Sequence, residues 1–122
     1  MIKFEKNNDG YIDCKIFGSM TAAELVSELK TYYSDDVDAA ASHLWDVRGI
    51  TLTDGHMALD SMSLIIGEIK DANRTPIRVA YLADSLSNAS ICNWYISKVN
   101  HKSMTQKIFY DEVEAVSWLV SG

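Results

Sequence analysis

The chain has 122 residues, of which 48% are hydrophobic and 23% charged, a balance that excludes disorder and fits a single domain over residues 1–122. Its formal net charge of -6 repels phosphate backbones and anionic headgroups, so no nucleic-acid partner is expected. No apolar run approaches the ~20 residues of a membrane span, and Met1 to Lys6 contains no signal-peptide core, so the expected setting is the cytoplasm with no transmembrane segment.

Ile2 to Lys6 and Tyr11 to Phe17 are alternating runs separated by Asn7-Asn8-Asp9-Gly10, which predicts an antiparallel hairpin turned by Asp-Gly. In the second run Ile12, Cys14 and Ile16 share the core face, opposite Tyr11, Asp13, Lys15 and Phe17. Gly18-Ser19-Met20 is expected to break the strand, and Thr21 with Glu24 has capping-box spacing. Ala22, Leu25, Val26, Leu29 and Tyr32 then form one helical stripe, ending near Tyr33. His43 to Val47 reads as a short strand, with Gly49 and Gly55 bracketing a loop. Ala58, Met62, Ile65 and Ile69 mark a second helix.

Pro76 cannot continue a helix and precedes Ile77 to Ala83, an apolar run suited to a strand covered on both faces. Asp84 or Ser85 caps a third helix carrying Leu86, Ala89, Cys92, Tyr95, Ile96 and Val99. Lys107 to Tyr110 is the last strand, and Asp111 with Glu114 starts a final helix through Val113, Val116, Leu119 and Val120. Strand–helix alternation after a hairpin predicts an α/β fold with a mainly parallel sheet of about five strands.

Ligands of open α/β sheets sit beyond the carboxyl ends of the strands. Those ends carry Ser19 and Thr21, then Asp46 and Arg48, then Asp84 and Ser85, then Asp111. Thr21, Asp84 or Ser85, and Asp111 stand where helices need caps. Asp46 and Arg48 flank Val47, where a buried strand surfaces. Arg48 is expected to pair with Asp46 or Asp84, or to contact a ligand or partner.

His43, His56 and His101 lack metal-ligand spacing, so no metal is expected. No nucleophile elbow, phosphate-cradling glycine loop or Cys-x-x-Cys is present, so neither catalysis nor a cofactor is expected. Cys14 and Cys92 read as small buried hydrophobes. Trp94 and Tyr95 adjoin on one helix and point about 100° apart, so one of them suits the core and the other an interface. Met57, Met62, Leu64, Ile65 and Ile66 make a stripe wide enough for core plus an interface or an apolar pocket.

The run Leu44-Trp45-Asp46-Val47-Arg48-Gly49-Ile50-Thr51-Leu52-Thr53-Asp54 resembles the central motif of STAS domains, the SpoIIAA-like anti-sigma factor antagonist family. The likeness is stronger to a divergent group of small bacterial STAS-like proteins, matched here by Trp45 to Arg48, by Arg78-Val79-Ala80 with Asp84, and by Asp111, Glu114, Ala115, Trp118 and Leu119. This resemblance implies a SpoIIAA-like (STAS) fold and a non-enzymatic protein-interaction or regulatory module, self-associating as a homodimer through the helix that begins near Gly55.

Where the regulatory family has its phosphorylatable serine, this chain has Asp54-Gly55-His56, so the phospho-switch does not carry over. The candidate partner or ligand contacts are thus Asp46, Arg48, Asp54, His56 and Asp84. An alternative is a small apolar-ligand or lipid carrier with transient membrane association, using a pocket near Met57, Met62 and Trp94.

Overall fold

The computed structural model describes residues 2–34, 42–54, 77–98 and 104–121. Within them the order is β1 (Ile2–Lys6), β2 (Tyr11–Met20), α1 (Ala22–Ser34), β3 (Ser42–Leu52), β4 (Ile77–Leu82), α2 (Leu86–Lys98), β5 (Met104–Phe109) and α3 (Glu112–Val120). The expected helix over Ala58 to Ile69, with Met57 and Met62, lies outside the described residues.

The hairpin forms as its turn residues dictate. Gly10 holds the left-handed angle (φ +93°), its N–H donates to Asn7 O, and Asn7 Oδ1 accepts from Asp9 N–H. The five strands lie in the order β1-β2-β3-β4-β5. β1 is antiparallel to β2, whereas β2, β3, β4 and β5 are parallel neighbours. The α/β class and the strand number agree with the sequence reading. The sheet itself is mixed, because the hairpin strand is hydrogen-bonded into it as a full member.

Strand lengths depart from expectation. β2 does not break at Gly18; Gly18, Ser19 and Met20 pair with Ile50, Thr51 and Leu52. Gly49, expected in a loop, lies within β3. A Cβ there would come 3.2 Å from that of Phe17, so the close strand approach favours a glycine. Between Lys15↔Asp46 and Phe17↔Gly49, β3 uses three residues for two of β2, a β-bulge. Pairing of β3 with β4 ends at Asp46↔Leu82, so the β2–β3 ribbon runs on past the end of β4.

One sheet face, covered by α1 and α2, holds the larger core: Ile12, Cys14, Ile16, Trp45, Val47, Val79 and Tyr81 against Leu25, Leu29, Ile91 and Cys92. The other face, under α3, buries Tyr11, Leu44, Ala80, Leu82 and Phe109 against Ala115 and Leu119. Three residues assigned to helix stripes sit outside. Leu86 (84% exposed), Val113 (77%) and Val120 are on the surface, because the buried face of α3 runs through Ala115 and Leu119 and α2 turns inward only from Asn88. No described helix is long and apolar enough to cross a membrane.

Candidate functional site

The bulge in β3 builds the polar site. Asp46 follows Leu44 on the α3 face, and its Oδ1 accepts from the Arg48 backbone N–H (3.1 Å) and Nε (3.0 Å), while Oδ2 accepts from the Arg48 guanidinium (2.8 Å). One carboxylate thus closes the bulge and grips its arginine in a two-point fork, the geometry guanidinium and carboxylate share. The same guanidinium nitrogen donates to Glu112 Oε1 (3.2 Å) in the first turn of α3.

Asp46 is 7% exposed, whereas 39% of the Arg48 side chain is exposed, since no β4 residue flanks β3 beyond Asp46. Burial acts to raise the Asp46 carboxyl, but the hydrogen bonds and charge of Arg48, with Lys15, outweigh it and hold the group below its ordinary value. The hydrogen bond to Asp46 pushes the Arg48 guanidinium further up.

Asp13 lies on the same face and moves the other way. Burial raises its carboxyl first; Lys15 opposes, and Glu112, Asp46 and Glu5 add to the rise. A raised acid weakens the folded state while it is charged, and the cost lifts as pH falls through its folded value. Asp13→Asn should therefore raise the melting temperature at pH 7, and the advantage should vanish by about pH 3, below the ordinary aspartate range. Thermal unfolding at the two pH values checks this.

The other predicted residues separate. Asp84 is exposed and binds Asn88 Nδ2 (2.7 Å), so of the two expected partners of Arg48, Asp46 is the one that grips it. Ser85 is the cap of α2: its Oγ accepts from Asn88 N–H, and Asn88 Oδ1 accepts from the N–H groups of Asp84 and Ser85. Asp54 Oδ1 accepts from Ala22 N–H (3.0 Å), which helps to cap α1 from the end of β3. Thr21 and Glu24 form the expected reciprocal capping box, and Asp111 caps α3. Trp94 is half-buried against the larger core. His56, Met57 and Met62 lie outside the described residues.

Sequence reasoning missed three features. Asn88 is buried and holds the start of α2; the Ser85-x-x-Asn88 spacing was its only signal. Glu112 joins Arg48 from 64 residues away, with no local sign beyond being an acid in a first helical turn. The third is a buried polar cluster on the α1 side: the Tyr32 hydroxyl accepts from the Cys14 thiol (3.4 Å) and lies 2.8 Å from His43 Nε2. His43 stacks on Trp45, with ring planes 8° apart and centroids at 6.0 Å.

Burial, then the Cys14 hydrogen bond, pushes the Tyr32 phenol far up, and burial pushes the Cys92 thiol up to about 12. Neither group is poised for chemistry at neutral pH. An apolar cavity of about 40 Å3 lies between α1, α2 and the sheet, with Leu29, Trp45, Tyr81 and Ile91 in its lining. That is well short of the several hundred Å3 a ligand-carrying pocket needs.

The arrangement is that of an α/β protein with a mixed five-stranded sheet and an arginine shared by two carboxylates at the carboxyl ends of its strands. Compared with known proteins, the chain matches no family model, no curated protein and no solved structure.

Proposed function

We propose that this chain is a non-enzymatic, STAS-like protein-interaction module that works without a phosphorylatable serine. The observation that carries the reading is the surface at the carboxyl end of the sheet. Leu86, Tyr110 and Val113 are exposed in the segments that follow β4 and β5, the same end as Arg48 and Glu112. Large apolar side chains at the same end of the sheet as a partly exposed arginine suit a protein contact, whose centre favours apolar groups and arginine. The arginine is already paired with two carboxylates, which fits a recognition surface better than a reacting group.

A photo-reactive phenylalanine analogue at Leu86 or Val113, with Ser117 as the control position, tests the reading in host cells. The expected result is a discrete protein adduct from positions 86 and 113 and none from 117. Equal and diffuse labelling at all three positions, or no protein adduct at any, would overturn it. Native mass spectrometry that found a stoichiometric small molecule instead would move the reading to a carrier.

A further inference from the structure

We infer that β1 is a self-pairing edge, joining two copies of the chain into one continuous sheet through an antiparallel β1–β1 contact centred on Phe4. This rests on the reading of the chain as an interaction module and names its partner as a second copy, on a surface distinct from the carboxyl end of the sheet.

Backbone geometry comes first. Among the described residues β1 is an outer strand, hydrogen-bonded to β2 alone, and Lys3 to Lys6 are exposed. Asn7 N–H donates to Tyr11 O. With the β1–β2 register, bonded and unbonded positions alternate, so Lys3 and Glu5 turn their backbone groups toward β2, while Ile2, Phe4 and Lys6 turn theirs outward. A second strand can bond only by matching outward residues with outward residues. Three registers about a two-fold axis do this while pairing more than one outward residue of β1, centred on residue 3, 4 or 5.

Charge selects among them. Centring on residue 3 sets Lys3 against Lys3, and centring on residue 5 sets Glu5 against Glu5, both repulsive. Centring on Phe4 sets Lys3 against Glu5 twice, at the non-bonded positions where side chains approach closest. It also sets Phe4 against Phe4, and Ile2 against Lys6. Phe4 is 55% exposed, with its ring edge-on to Tyr32 at 5.2 Å, so the paired rings would cover apolar surface that one copy leaves wet.

A further observation points the same way. Within one copy the β1–β2 ladder places Lys3 opposite Lys15 and Glu5 opposite Asp13, two like-charge pairs on the face opposite α1. Such pairs are unfavourable in isolation. In the Phe4-centred dimer each row across the sheet reads Lys15, Lys3, then Glu5 and Asp13 of the second copy. The mismatch inside each copy is balanced across the contact. An open groove of about 550 Å3, lined by Lys3, Phe4, Glu5 and Lys15 among others, leaves room beside the strand.

The test is sedimentation equilibrium of the purified full chain and its charge variants. The wild type should dimerise, and Lys3→Glu or Glu5→Lys alone should raise the dissociation constant at least tenfold, because the two-fold axis makes each change count twice. The swapped double variant K3E/E5K should recover wild-type affinity. An equimolar mixture of the two single variants should form a heterodimer more strongly than either forms a homodimer. A chain that stays monomeric at millimolar concentration overturns the proposal, while the cross-linking result at positions 86 and 113 stands or falls separately. A dimer indifferent to both charge changes but broken by Val113→Glu also overturns it, and would assign self-association to the carboxyl end.

Discussion

Replacing Trp45 with alanine should cost about 3–5 kcal/mol, the range for removing a large aromatic side chain from a core. Trp45 is buried in the middle of the larger core, with Tyr32 edge-on at 5.2 Å and His43 stacked on it. Its indole also lines the apolar cavity of about 40 Å3, so truncation would enlarge an existing void instead of letting neighbours collapse into a dense site. Domains of this size have about 5–15 kcal/mol in hand, so the variant should be marginal. Chemical denaturation is the measurement, with a large fall in midpoint expected. Trp45→Phe, which keeps an aromatic surface for Tyr32, should lose clearly less. Equal losses for the two variants would show that the indole's volume is not what the site depends on.

The second large effect belongs to the pair at the bulge. Arg48→Ala strips a nearly buried carboxylate of its guanidinium partner, and should destabilise the fold by about 2 kcal/mol. This is below the 3–5 kcal/mol of a fully buried pair, because the arginine is partly exposed and solvent screens it. The pH dependence carries the diagnosis. Asp46 is held below its ordinary value, so its stabilising contribution is present above the ordinary aspartate range and is lost as pH falls through the lowered value. The gap between wild type and Arg48→Ala should be widest at neutral pH, narrow as pH falls through the ordinary aspartate range, and close only below the lowered value of the wild-type Asp46. Adding Asp46→Asn to Arg48→Ala should recover part of the loss at pH 7, because the unpaired charge is gone. A gap that stays constant with pH would mean that Arg48 acts through packing of its stem alone.

Much of the local structure was legible in order along the chain. The Asn7-to-Gly10 turn, the Thr21–Glu24 box and the Asp111 cap are contacts within five residues, so short-range stereochemistry alone specifies them. The alternation of Ile12, Cys14 and Ile16 correctly assigned the core face of β2. Strand ends were not legible. Gly18 and Gly49 read as breakers, yet both lie in strands, because pairing between β2 and β3 satisfies their backbone; Gly18 takes a left-handed φ of +102° within the strand, and at Gly49 the close approach of Phe17 favours a missing side chain. The apolar residues Leu86 and Val113 read as core, and the packing of α2 and α3 leaves both in solvent.

The candidate site divides along the same line. Asp46 and Arg48 stood out because an acid and a base two apart on a surfacing strand share a face. Their pairing was one of the two that the sequence offered; the choice of Asp46 over Asp84, and Glu112 as a third member, came from the folded chain. Asp84 and Asp54 were candidate contacts beside them; Asp84, already read as a possible cap, and Asp54 both serve helix starts.

By itself, the order of residues determined the α/β class, the hairpin and the helix starts at Thr21 and Asp111, and narrowed the partner of Arg48 to Asp46 or Asp84. The local features among these are set by steric and hydrogen-bonding rules acting over a few residues. Only the folded chain decided that Cys14, Tyr32 and His43 meet in one buried cluster. It also decided how far β2 and β3 run together and that β1 stands at the edge of the sheet among the described residues. These depend on which distant surfaces come together to exclude water, and burial is a property of the whole assembly of elements, not of any window along the chain.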